Sequence, residues 1–197
     1  GVVHGAGLED SKLVADKGYD VFDRVVRVKV DGWRALLGAV NASGLDVPEF
    51  ACCFTSVAGR FGNGGQTDYA AANSILDAEM ARLTATSSAR GVAIGWTGWR
   101  DVGMATRGSI EAVFAAAGIE TLAVDDGVAI FVAEALQGGK RRVLGCGSLG
   151  LMDRFSSFRE APVKLPAPMA ELMADPSRFP FIDKMVELEE HERLVSQ

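Results

Sequence analysis

The chain predicts an α/β fold, a parallel sheet flanked by helices, and three observations carry that reading. Short apolar runs recur at residues 2–6, 50–54, 92–96 and 142–145. Amphipathic segments with helical spacing lie between and around them, at 20–40, 69–85 and 126–137. The two kinds of segment alternate, which reads as βαβαβ and so as strands that pair in parallel. A sheet of that kind binds ligands beyond the carboxyl ends of its strands.

The first run ends in the turn Gly5-Ala6-Gly7. In the segment that follows, Phe22, Val26, Trp33, Leu37 and Val40 fall on one stripe at about 100° per residue. Arg24, Arg27, Asp31 and Arg34 fall on the opposite side, so the helix segregates its charges with one exception, Lys29, in the middle of the apolar stripe. A buried ammonium is costly unless something needs it. The competing reading is a lysine at an element's end whose amine snorkels to water.

The second run contains Cys52 and Cys53 and leads to Ser56 at its carboxyl end. Gly62-Asn63-Gly64-Gly65 then reads as a flexible loop, since no helix start with Lys or Ser follows it directly to cradle a phosphate. Tyr69 opens the next helix, where Tyr69, Ala72, Asn73, Leu76, Met80 and Leu83 share a face. Tyr69 and Asn73 therefore point toward the core. The bland account is a satisfied polar pair; the chemical account is a carbonyl-reducing site. A phenol titrates near ~10 in water, can protonate a carbonyl oxygen at neutral pH, and does so more readily beside a cation. Ser56 lies at the end of the run before it, and Lys29 is the cation.

The third run precedes a connection, residues 98–120, that contains Trp99, Asp101-Val102-Gly103-Met104 and Ala115-Ala116-Ala117-Gly118. After the fourth run, Gly145-Cys146-Gly147-Ser148-Leu149-Gly150 spells G-x-G-x-x-G. No second βαβ unit or ribose-binding acid follows, so it reads as a turn leaving the last strand.

In 197 residues, 48% are hydrophobic and 23% charged, enough for a real core. A formal net charge of −6 and no basic stretch interleaved with aromatics argue against a nucleic-acid partner. No apolar run approaches the ~20 residues of a membrane helix, and no signal peptide is evident. Three cysteines and two histidines give neither a disulfide framework nor a metal-ligand set, so a reduced, cytoplasmic protein without a bound metal is expected. His4 and His191 read as structural or exposed, without the partners nucleophilic catalysis needs.

Residues 1–148 resemble the short-chain dehydrogenase/reductases, in particular the ketoreductase domains of modular polyketide and polyunsaturated fatty acid synthases. The resemblance rests on Gly1-Val2-Val3-His4-Gly5-Ala6-Gly7, on Phe22-Asp23-Arg24-Val25 leading to Val28-Lys29-Val30-Asp31-Gly32, on Ser56 to Asn73, and on Gly95-Trp96 followed by Asp101-Val102-Gly103-Met104. Most of the superfamily places a lysine four residues after the tyrosine. Synthase ketoreductases have asparagine there and carry the lysine on the earlier helix, the pattern of Asn73 and Lys29.

The resemblance implies a Rossmann-like fold and a catalytic set of Ser56, Tyr69, Asn73 and Lys29. Tyr69 would protonate the carbonyl oxygen it holds with Ser56, Lys29 would lower the tyrosine's pKa, and Asn73 would support the proton relay. It implies NADPH as hydride donor, because the side chains offer none, with Ala6, Gly7, Trp96 and Thr97 at the cofactor. The missing Cβ of Gly7 suits a close backbone approach. Residues 98–120 would be the lid, lined by Trp96, Trp99 and Met104. The substrate would be a 3-ketoacyl thioester on an acyl carrier protein, and neighbouring synthase domains would be partners.

The family's first three strands and its glycine-rich pyrophosphate loop are expected before Gly1. The stretch alone is expected to be inactive, with an unpaired sheet edge and few phosphate contacts. Leu8-Glu9-Asp10-Ser11 departs from the Leu-Asp-Asp pattern of one stereochemical class, and Arg60-Phe61-Gly62-Asn63 lacks the tryptophan of the other; Asp10 and the missing tryptophan lean toward the first. Residues 1–150 would be the carboxyl-terminal part of the reductase. Pro162, Pro166, Pro168 and Pro176 mark 151–177 as a linker. Residues 178–197 are similar to the opening of hot-dog dehydratases, which consume a 3-hydroxyacyl thioester. Two further readings are a noncatalytic half-domain that braces a synthase, which should have lost the catalytic set, and a free-standing carbonyl reductase, against which the linker and tail count.

Overall fold

Four strands form one parallel sheet in the order β1 (Val2–His4), β2 (Phe50–Ser56), β3 (Arg90–Trp96), β4 (Arg142–Gly145). The computed structural model describes residues 1–44, 47–106, 110–139, 142–150 and 152. The linker and dehydratase-like readings of 151–177 and 178–197 lie outside the described residues, apart from Met152. The helices are α1 (Tyr19–Ala42), α2 (Ala58–Phe61), α3 (Thr67–Thr86), α4 (Ile110–Ala116) and α5 (Val124–Gln137). The α/β class is as the sequence predicts.

Successive side chains of a strand point to opposite faces, and β2 uses both. Ala51 and Cys53 join Trp33 of α1, Leu76, Met80 and Leu83 of α3, and Ala93 of β3 in one core. Cys52 meets Val92, Ile94 and Trp96 in the other, with Phe54 and the α5 residues Ile130 and Phe131 against it. Coverage on both faces is why β2 from Phe50 to Phe54 and β3 from Gly91 to Trp96 are continuous apolar runs.

The elements differ from expectation at their ends. β1 stops at His4, two residues early, whereas β2 runs on to Ser56 and α3 begins at Thr67, two residues before Tyr69. The short α2 has no counterpart among the expected elements; it packs where Gly59 lacks a side chain, since a Cβ there would stand 2.8 Å from Cβ of Asn73. The connection after β3 contains a 3-10 turn at Gly103–Thr106 and α4. His4 is structural: its Nε2 is 2.8 Å from the Lys29 carbonyl oxygen, and burial lowers its pKa.

Candidate active site

The carboxyl ends of the strands gather the candidate residues. Ser56 ends β2, pairs in register with Trp96 at the end of β3, and lies one strand away from the turn after β1. Its Oγ accepts the Ala58 amide at 3.2 Å, which ties it to the first turn of α2. From α3, Tyr69 and Asn73 turn toward Ser56, and the Ser56 and Asn73 side chains are near enough to the phenol to favour its ionised form. Burial acts the other way and outweighs them, so the Tyr69 pKa is raised.

Lys29 is 3% exposed. The snorkelling alternative is thereby overturned. Its Nζ donates to the Phe54 carbonyl at 3.0 Å and lies 5.7 Å from the centre of the Tyr69 ring. Burial brings the ammonium down to about 8, with Cys53 and Asp77 opposing. Asn73 is fully buried; its Nδ2 donates to the Tyr69 carbonyl at 2.7 Å, and its Oδ1 has no hydrogen-bond partner.

The structure thus brings Lys29, Ser56, Tyr69 and Asn73 together from three elements. Gly7 belongs with them for a reason of its own: a Cβ there would lie 3.0 Å from Cε and 3.3 Å from Nζ of Lys29. Ala6 is exposed on the same turn. Trp96 and Thr97 stand apart in their side chains. The Trp96 ring lies in the opposite core, edge-on to Trp99 at 5.1 Å and to Phe54 at 5.6 Å. Thr97 Oγ1 donates to the Glu120 carbonyl at 3.1 Å. Of the residues expected to line the lid, Trp99 is packed over Gly127 of α5, where a Cβ would meet its ring at 2.5 Å.

The Gly145 to Gly150 run is a turn, as expected. It folds around a carboxylate: Glu120 Oε2 accepts the Ser148 amide at 2.8 Å. That is the wrong charge to share with a phosphate. A cavity of about 690 Å³ bordered by Arg100, Phe114, Glu120 and Asp126 lies to one side, and none of the four clustered residues lines it. Among the described residues no group of His, Cys, Asp and Glu could hold a metal ion, and no helix is long and apolar enough to cross a membrane.

Sequence reasoning missed the Lys17 and Asp68 side chains. They form a buried ion pair directly before Tyr69. Their separation of 51 residues leaves no local signal beyond an acid in the first turn of a helix. It also missed Asp77, buried two turns beyond Tyr69 on α3 and paired with Arg142 of β4 at 3.2 Å. Burial raises the Asp77 pKa, and Arg142 opposes the shift.

Comparison with known proteins decides the family. A family model described as the KR domain matches residues 1–101, half of the chain. The chain belongs to the KR domain family. Mellein synthase of Phaeosphaeria nodorum is 37% identical over 106 residues, 54% of this chain and 6% of that protein. Polyketide synthase PksM of Bacillus subtilis is 27% identical over 198 residues, 97% of this chain and 5% of its own length. Among solved structures, a ketoreductase domain from the bacillaene assembly line superposes with a TM-score of 0.62 at 30% identity. That match covers 78% of this chain and 37% of the other. The KR-domain chain therefore spans a small part of the synthases it resembles, and its Rossmann-like fold agrees with theirs.

Proposed function

We propose that this KR-domain chain is the catalytic part of a ketoreductase that reduces a 3-ketoacyl thioester, held on an acyl carrier protein, to the 3-hydroxyacyl thioester. The observation that carries the reading is Lys29, an ammonium enclosed in the core 5.7 Å from the Tyr69 ring. Stability alone gives no reason to bury it there. A bracing half-domain would have no use for it. Membership of the KR family and the synthase relatives support the rest.

In this reading the substrate carbonyl lies above the end of β2, where the hydroxyls of Ser56 and Tyr69 both donate to its oxygen. NADPH, when bound, supplies the hydride that the carbonyl carbon takes up. Tyr69 gives its phenolic proton to the oxygen as the alcohol forms, and Lys29 favours the phenolate left behind. Asn73 fixes the start of α3 from below and offers Oδ1 to the path that returns a proton to Tyr69.

The turn Gly5-Ala6-Gly7 fits the reactive end of a nicotinamide cofactor, since Gly5 and Ala6 are exposed there and Gly7 presents backbone beside Lys29. Ala6 and Gly7 would hold it, together with the main chain of Trp96 and Thr97. The glycine-rich turn after β4 is not open to its pyrophosphate, because it is wrapped around Glu120.

The test is Tyr69→Phe in the intact synthase. Turnover of a 3-ketoacyl thioester should fall by about 10²-fold or more, with NADPH binding by fluorescence nearly unchanged. Turnover kept within a few fold would make another residue the acid.

A further inference from the structure

We propose that Lys17, acting through Asp68, is a positioning residue for the reduction proposed above, which fixes the Tyr69 phenol against the rim of the site and so sets the face of the ketone that is reduced. The inference rests on that reading of the site.

Three acceptors surround the Lys17 ammonium: the carbonyl of Asp10 at 3.0 Å, the carbonyl of Gly65 at 3.1 Å, and Oδ1 of Asp68. An ammonium has three protons to give, and each has its partner. The side chains of Lys17 and Asp68 are 2% and 1% exposed. The same Asp68 Oδ1 accepts the amide of Tyr69 at 2.8 Å. One amine thus joins the loop after β1, the loop before α3, and the residue that leads directly into the proposed acid.

Hydrophobic burial does not hold the loop after β1 in place. Leu13 and Val14 on it are 66% and 68% exposed. Polar contacts hold it instead. Besides Lys17, the Lys12 amide donates to the Gly65 carbonyl at 3.0 Å, and Gln66 Nε2 reaches Glu9 Oε1 at 3.2 Å and Ser11 Oγ at 3.3 Å. The loop expected to be flexible, Gly62 to Gly65, is therefore tied at its Gly65 end, and through Gln66, to the segment that contains Glu9-Asp10-Ser11. A buried ion pair is a poor device for stability, since an apolar replacement often serves as well. It is a good device for geometry, because removal of one partner leaves the other with nowhere to go. A misplacement of about 1 Å in a reacting group can cost ~10²-fold in rate.

The experiment uses the intact synthase with NADPH and a short 3-ketoacyl thioester. It compares Lys17→Met, Lys17→Arg and the double variant Lys17→Met/Asp68→Asn, with thermal melting, kcat, KM for NADPH, and the ratio of alcohol enantiomers as readouts. The enantiomer ratio does not depend on how much of the protein is folded. Lys17→Met should lower kcat by about tenfold or more and erode the ratio, with KM for NADPH within about threefold. Lys17→Arg, whose planar fork cannot meet the same three acceptors, should recover only part of both. The double variant removes both charges; it should melt near the wild type yet keep the low kcat and the eroded ratio.

Wild-type kcat and ratio in the double variant would overturn the proposal, as would Lys17→Met within twofold on both. Failure of the double variant to fold would make the pair a folding element and overturn it too. Tyr69→Phe run alongside separates the two readings. If it is inactive while the Lys17 variants behave as wild type, only this inference falls; if it still turns over, the assignment of the site falls first.

Discussion

Lys29 and Tyr69 face each other across the end of β2, the ammonium 5.7 Å from the ring centre, although the two residues lie 40 positions apart on different helices. The Phe54 carbonyl accepts from the amine at 3.0 Å. The arrangement is unfavourable for stability, since the amine titrates at about 8 instead of 10.5.

Lys29→Met should therefore separate stability from activity. The folded pKa lies below the unfolded value, so between about pH 8 and 10.5 the unfolded chain binds more protons. The penalty is complete below pH 8 and is relieved as pH rises through that window. At pH 7 the variant should be more stable by about 1–3 kcal/mol, less than the full shift because the Phe54 carbonyl loses its donor. The advantage should shrink toward pH 10.5 in denaturant titrations. Its kcat should fall by about 10²-fold or more. A variant less stable than wild type at pH 7 would contradict the account.

The same shift predicts a pH profile. If the ammonium is the working form, kcat/KM should decline as pH rises through about 8, where Lys29 loses its proton. Tyr69 cannot account for that limb, because burial raises its pKa above the ordinary phenol value. In Lys29→Met, whatever activity remains should lose the limb near pH 8. Steady-state rates from pH 6 to 9.5 check both statements.

Much of this site is legible in the chain, and the parts that are not have a common cause. Lys29 stands out because it violates the charge segregation of its own helix, and Tyr69 and Asn73 share a face with Leu76 and Met80; both are local periodicities. Lys17 shows no such pattern. It lies in a polar loop, and its partner Asp68 is brought to it only when α3 is laid against the segment after β1. The Trp96 ring is unreadable for a related reason: the residue stands at a strand end, but strand alternation sends its ring into the core beneath α5 and leaves its main chain at the strand's carboxyl end. The chemistry suggested by Gly145-x-Gly147-x-x-Gly150 is likewise settled by a distant residue, Glu120.

Gly7→Ala tests whether that glycine serves the lysine. The added methyl would sit 3.0 Å from Cε and 3.3 Å from Nζ of Lys29, the flexible end of a side chain. The amine can yield by a few tenths of an ångström, so the melting temperature should hardly change. The Lys29 to Tyr69 spacing should change, and kcat should drop by about tenfold with a smaller effect on KM for NADPH. A rise confined to KM would mean that Gly7 serves the cofactor alone.

Gly59→Ala bears on Asn73 and has an internal control. Gly59 lies inside α2, where alanine is favoured by about 1 kcal/mol on helix propensity. Its new Cβ, however, would lie 2.8 Å from Cβ of Asn73, 3.1 Å from the Ser74 nitrogen and 3.2 Å from the Asn73 carbonyl carbon. Backbone cannot move aside as a lysine can, and the Ser74 hydroxyl already holds the Gly59 carbonyl at 2.7 Å. Overpacking should win, with a net loss of about 1–3 kcal/mol in chemical denaturation. Displacement of Asn73 should lower kcat along with it. Gly64→Ala supplies the control, since nothing lies within 4 Å of where its methyl would sit and both stability and rate should be unchanged. Stabilisation by Gly59→Ala would show that α2 and α3 are less closely packed at Asn73 than these distances require.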